Sequence, residues 1–142
     1  MTTLAKSVLV PHSAATMFAL VDDVERYPEF LPWCPSAKVV ERTEAITRAR
    51  IDIGYHGVAS HITTLNRKQA PERMDLELVE GPFKRFHGQW RFVPLGDAGC
   101  RVELSLDYSL SGASINIVLR PVLTRVLETL VDRFVERANA LA

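Results

Sequence analysis

Val102–Gly112 reads VELSLDYSLSG, and the segment directly after it, Ala113–Ala140, reads ASINIVLRPVLTRVLETLVDRFVERANA. In the first, Val102, Leu104, Leu106, Tyr108 and Leu110 alternate with Glu103, Ser105, Asp107 and Ser109, the period of a strand with one wet face. In the second, Ile115, Leu119, Val122, Leu123, Val126, Leu127, Leu130, Val131, Phe134 and Ala138 recur at helical spacing. The charged residues Arg120, Arg125, Glu128, Asp132, Arg133, Glu136 and Arg137 fall largely outside that stripe. A helix of ~27 residues rises ~40 Å, enough to cross a sheet. Pro121 predicts a kink or a fresh start in its first third.

Upstream, the period of two persists back to Lys38. Ala49, Ile51, Ile53 and Tyr55 share one face, as do Met74, Leu76 and Leu78, and as do Phe86, Gly88, Trp90 and Phe92. Turns are predicted at Tyr55-His56-Gly57, Gln69-Ala70-Pro71, Glu80-Gly81-Pro82 and Gly96-Asp97-Ala98-Gly99. The faces of Val58–Arg67 are blurred by Ser60, His61, Thr63 and Thr64. At the N-terminal end, Thr2–Val10 reads as a strand stopped by Pro11. Ser13 stands as an N-cap for a helix over Ser13–Val24, with Asp22, Asp23 and Glu25 expected exposed at its unfavourable end. Tyr27–Pro35, YPEFLPWCP, carries three prolines. Pro28 suits the first turn of a short helix that Pro32 and Pro35 forbid to continue, which predicts a rigid apolar corner.

The expected architecture is α+β, a curved antiparallel sheet of about seven strands wrapped around a long C-terminal helix, in a single domain over residues 1–142. One helix is too narrow to cover such a sheet flat, so the sheet must curl, with Gly54 and Gly88 as bend points. Gly88, between Phe86 and Trp90, is a candidate hole in the interior. A wrapped sheet gripping a helix can enclose an apolar cavity for a hydrophobic small molecule. The same side chains also fit a filled core, and periodicity does not separate the two.

Composition narrows the function classes. The chain has 142 residues, 47% hydrophobic and 24% charged, with 17 basic residues balancing 17 acidic ones. That excludes disordered, fibrous and disulfide-scaffold classes and a whole-protein polyanion binder. No DNA partner is expected. Cys34 and Cys100 form no CxxC and read as free buried thiols. No signal peptide or membrane span is recognisable, which favours a cytoplasmic setting. His12, His56, His61 and His87 provide no metal-ligand spacing, and no nucleophile elbow, phosphate loop or dinucleotide fingerprint occurs, so no catalytic residue, metal or cofactor is assigned. Tyr55 and Tyr108, both inward by alternation, could orient a polyketide-like substrate or could serve as core tyrosines. Arg48, Arg50, Arg73, Arg85, Arg91 and Arg101 project from the wet face, where they form either a mildly basic patch or an ordinary solvated surface.

Three stretches together carry a likeness: YPEFLPWC at Tyr27–Cys34, EGPFKRFHGQWRF at Glu80–Phe92 and FVERA at Phe134–Ala138. With them the chain resembles the coenzyme-Q-binding branch of the START-like superfamily, which holds bacterial ribosome association toxins and mitochondrial ubiquinone-binding proteins. The resemblance implies a helix-grip fold and an isoprenoid quinone (ubiquinone) or related lipid carried without catalysis in support of respiration, loaded through transient membrane contact. For the toxin branch it implies binding to the large ribosomal subunit and blocked subunit joining. A polyketide-cyclase-like enzyme is a further alternative. Carried onto this chain, it places Phe30, Leu31 and Trp33 near the cavity mouth and Phe83, Phe86 and Trp90 along it, with Phe86 narrowing the chamber where relatives carry an aliphatic residue. Ile53, Tyr55, Gly88, Tyr108, Leu130 and Phe134 complete the expected ligand-binding set. The lack of a transit peptide favours the bacterial branch or a mature form.

Overall fold

The computed structural model describes residues 2–55, 57–110 and 112–142; the side chains of Tyr55 and of residues 113–118 lie outside the description. Alternation makes the sheet. Strands β1 (Thr2–Val10), β2 (Ala37–Arg42), β3 (Ile46–Tyr55), β4 (Val58–Gln69), β5 (Arg73–Glu80), β6 (Phe83–Leu95) and β7 (Gly99–Leu110) follow the predicted segments closely. They form one antiparallel sheet in the order β1-β7-β6-β5-β4-β3-β2. The turns fall where glycine and proline place them, with Gly57, Gly81 and Gly96 at positive φ. His56 itself lies outside the described residues.

Ladder irregularities interrupt the register at Val39/Glu41, Thr63/Thr64 and Phe83/Arg85. Such extra residues bend and twist a strand locally. The expected bend points Gly54 and Gly88 sit instead in regular register, opposite Ala59 and Leu106. Gly54 serves close approach, since its N–H donates to Trp33 O at 2.9 Å.

Helix α1 (Ala14–Asp22) starts as expected, the Ser13 hydroxyl accepting from the Thr16 N–H at 3.1 Å. It stops two residues short of Val24, because Asp23 leaves helical geometry and Val24–Glu29 continues as a 3-10 helix. Pro28 is the fifth residue of that 3-10 helix rather than part of a first turn. The acidic end of α1 is not free in solvent, contrary to the sequence expectation. Arg42 of β2 grips Glu25 through both of its terminal nitrogens, at 2.9 and 2.8 Å, and reaches Asp22 O at 2.8 Å. Lys68 Nζ lies 3.1 Å from Asp22 Oδ2.

Helix α2 (Ala113–Leu141) runs unbroken through Pro121 for 29 residues, so the expected fresh start is absent. Its buried residues from Leu119 to Ala138 face the concave side of the sheet, as the stripe predicts; the Ile115 side chain lies outside the described ones. Lys6 of β1 ties it down through Asp132 Oδ2 and Glu128 O, both at 3.0 Å. At its far end Arg137 pairs with Glu29 at 2.7 Å and lies 5.1 Å over the Phe30 ring, fastening the corner to the helix. Among the described residues no helix is long and apolar enough to cross a membrane.

Candidate functional site: an apolar cavity between sheet and helix

Inward residues of five strands and one face of α2 converge without meeting. They leave a cavity of about 100 Å³. Its sheet wall comes from Ala49, Ile51 and Ile53 of β3, Ile62, Thr64 and Asn66 of β4, and Met74 and Leu76 of β5. Phe83, Phe86 and Trp90 of β6 and Leu106 of β7 continue it. Helix α2 closes one side with Leu123, Val126, Leu127, Leu130 and Phe134, and the corner closes an end with Val21, Val24, Tyr27 and Trp33.

Of the expected binding residues, the structure brings Trp33, Ile53, Phe83, Phe86, Trp90, Leu130 and Phe134 to this wall. Phe30 and Leu31 are not on it. Leu31 is fully buried in the corner, while Phe30 stacks edge-on against Phe134 at 5.2 Å and lies under Arg137. Tyr108 packs behind the wall, edge-on to Phe83 at 6.0 Å. The Tyr55 side chain lies outside the described residues.

Gly88 is not a hole. A Cβ built there would meet Leu106 Cδ2 at 2.6 Å and Leu76 Cδ1 at 3.1 Å, because the leucines on both flanking strands lean over the glycine. Both leucines also line the cavity. Gly88→Leu is therefore expected to push them into it, lowering stability by about 1–3 kcal/mol through overpacking and abolishing uptake of any cavity ligand. Denaturant titration reads the first effect and a small-molecule binding assay the second.

The electrostatics of the cavity are simple. Tyr27 is the one ionisable group among its described lining residues. Its hydroxyl donates to Val21 O, and burial pushes its pKa well above the usual phenol range. Cys34, free and buried behind Trp33, has its thiol pushed up to about 11 by burial, and burial also raises Cys100. Neither is primed as a nucleophile near neutral pH. Among the described residues no cluster of histidine, cysteine and carboxylate could hold a metal. The wall thus offers shape, apolar contact and a few hydrogen bonds, and no acid–base pair.

Sequence reasoning missed the polar part of this wall. Thr64 and Asn66 are 8% and 5% exposed, and the Thr64 hydroxyl donates to Asn66 Oδ1 at 2.8 Å. The available signal was phase: Ile62, Thr64, Asn66 and Lys68 occupy alternate positions of β4, so two uncharged polar residues sit on an otherwise apolar inner face. The outer-face arginines also differ from a bare basic patch. Arg50 and Arg73 pair with Asp52 and Asp75 two residues along their own strands, at 3.1 and 3.0 Å.

The sequence model of a family described as polyketide cyclase / dehydrase and lipid transport matches residues 10–135. A ribosome association toxin RatA of Pseudomonas aeruginosa is 36% identical over 140 residues, covering 99% of this chain and 97% of the relative. A mitochondrial coenzyme Q-binding protein of Schizosaccharomyces pombe is 24% identical, covering 94% of this chain and 84% of its own. The crystal structure of the Zhui aromatase/cyclase from a Streptomyces species superposes with a TM-score of 0.85 at 16% identity, over 97% of this chain and 93% of that one, a likeness of fold alone. With seven antiparallel strands gripping a C-terminal helix and a family match across most of its length, this chain belongs to the polyketide cyclase / dehydrase and lipid transport family, within the START-like group.

Proposed function

We propose that this protein is a ribosome-directed inhibitor of translation that binds the large ribosomal subunit and obstructs subunit joining in the cytoplasm. The observation that carries the reading is the end-to-end similarity to a ribosome association toxin, 36% identity over 99% of the chain. The convex face of the sheet supports it. There Arg48, Arg91 and Arg101 form no ion pair among the described residues, so they are free to meet phosphates. Electrostatic capture of RNA by such groups is weakened by salt.

Sedimentation tests the proposal. Overexpressed protein is expected to travel with the large subunit and deplete joined ribosomes. Arg91→Glu together with Arg101→Glu should release it at a lower salt concentration without unfolding it. An unchanged ribosome profile with the protein left at the top of the gradient overturns the reading.

Carriage of an isoprenoid quinone or related lipid is the second reading, favoured by the apolar wall and by the similarity to a coenzyme Q-binding protein. It is the weaker one. A cavity of about 100 Å³ takes a single ring and not a long isoprenoid tail, since ligand pockets commonly run from ~300 Å³ upward. Enzymatic cyclisation draws on the fold alone and finds no free acid or base on the wall.

A further inference from the structure

The cavity wall holds two hydrogen-bond donors with no protein partner. The carboxamide of Asn66 is 95% buried by the wall around it, and its oxygen is already engaged by the Thr64 hydroxyl at 2.8 Å. This leaves its NH2 group without a partner among the described residues, at the cavity surface. The indole N–H of Trp33, in the same wall, is fully buried and likewise unpartnered. An unmade hydrogen bond on a buried donor costs about 1–3 kcal/mol, and leucine, close to asparagine in shape, would line an apolar cavity without that cost. A hydrocarbon occupant would leave both donors unsatisfied.

We propose that the cavity is a binding site for a neutral, compact, apolar molecule bearing a carbonyl group, whose oxygen accepts from the Asn66 side-chain amide. Each term follows from the wall. Two free donors and no free acceptor call for an acceptor on the ligand. Neutrality follows because no cation lines the cavity to meet a carboxylate and no carboxylate lines it to meet an amine, so a charged amphiphile would be buried unpaired. Compactness follows from the volume: an apolar cavity of roughly 150 Å³ accepts benzene, and this one measures about 100 Å³. The site is independent of the ribosome reading, whose gradient assay it does not touch.

Acetophenone and ethylbenzene test it, being one-ring molecules of similar shape that differ in the carbonyl. In an NMR titration of the full 15N-labelled chain, acetophenone is expected to shift the Asn66 side-chain amide saturably. Ethylbenzene should perturb the surrounding methyl groups and leave that amide in place. In the variant Thr64→Val with Asn66→Leu, which removes both partners and strands neither, the ratio of acetophenone to ethylbenzene affinity should fall at least tenfold. An unchanged ratio overturns the proposal. So does a wild-type chain whose Asn66 amide responds to both probes alike or to neither, a result that needs no variant to fold.

Discussion

Phe134→Ala is expected to lower the stability of the protein by about 3–5 kcal/mol, the range for deleting a buried aromatic ring. Phe134 is 1% exposed and sits where three elements meet. Its ring lies edge-on to Tyr27 at 5.3 Å, Phe30 at 5.2 Å and Trp90 at 5.5 Å, joining α2 to the corner and to β6. Edge-on aromatic pairs contribute about 0.5–1.5 kcal/mol each beyond their buried area. The hole left by alanine would open into the existing cavity, whose aromatic and α2 walls resist collapse, so the cost should fall in the upper half of the range. Phe134→Leu keeps most of the volume and should lose markedly less. Denaturant titrations with unchanged slope measure both. A loss below about 1 kcal/mol for the alanine variant would mean that α2 is not seated in the sheet as described.

The second large effect is electrostatic. Asp22→Ala is expected to cost about 3 kcal/mol, because it strands a buried ammonium. The Lys68 side chain is 5% exposed and lies 3.1 Å from Asp22 Oδ2, while Asp22 Oδ1 accepts from the buried Thr47 hydroxyl at 2.8 Å. Lys68→Met should cost less, since Asp22 is more exposed, at 19%, and keeps its bond to Thr47. Combining Asp22→Leu with Lys68→Met removes both charges and should recover much of the loss, because replacing a buried pair by apolar groups is often close to neutral. A double-mutant cycle reads the coupling, expected to exceed ~1 kcal/mol. High salt should change it little, as buried pairs are poorly screened. Strict additivity of the two substitutions would refute the pairing.

These two sites also show what was legible in the sequence. Phe134 could be placed from the helical stripe alone, and the alternation of Val102–Leu110 and Met74–Leu78 delivered the sheet and its inner face directly. Asp22 could not be placed. Local rules set an acid at a helix C-terminus in solvent, and the lysine that draws it inward stands 46 residues away on β4. Gly88 misled for a related reason. A missing side chain in one strand reads as space, yet Leu76 and Leu106 on the neighbouring strands occupy it. The cavity followed from the need of a broad sheet to curl around one narrow helix. Its polar foot at Thr64 and Asn66 was hidden in the one strand whose faces were blurred. Phe30, Leu31 and Tyr108 have the right residue types but stand one layer behind the wall, a distinction that pattern does not resolve.

The pairing of β1 with β7, from Thr2 opposite Tyr108 to Val10 opposite Cys100, has a kinetic corollary. The segment synthesised first must wait for a partner made ~100 residues later, and Lys6 for Asp132 later still. Hairpins between β2 and β7 can close as they emerge, each a local event, whereas the last ladder requires the widest loop in the molecule to be drawn shut. Until translation of the final helix ends, the nascent chain therefore carries a solitary leading strand and an unroofed trough, the stage at which it is most exposed to aggregation.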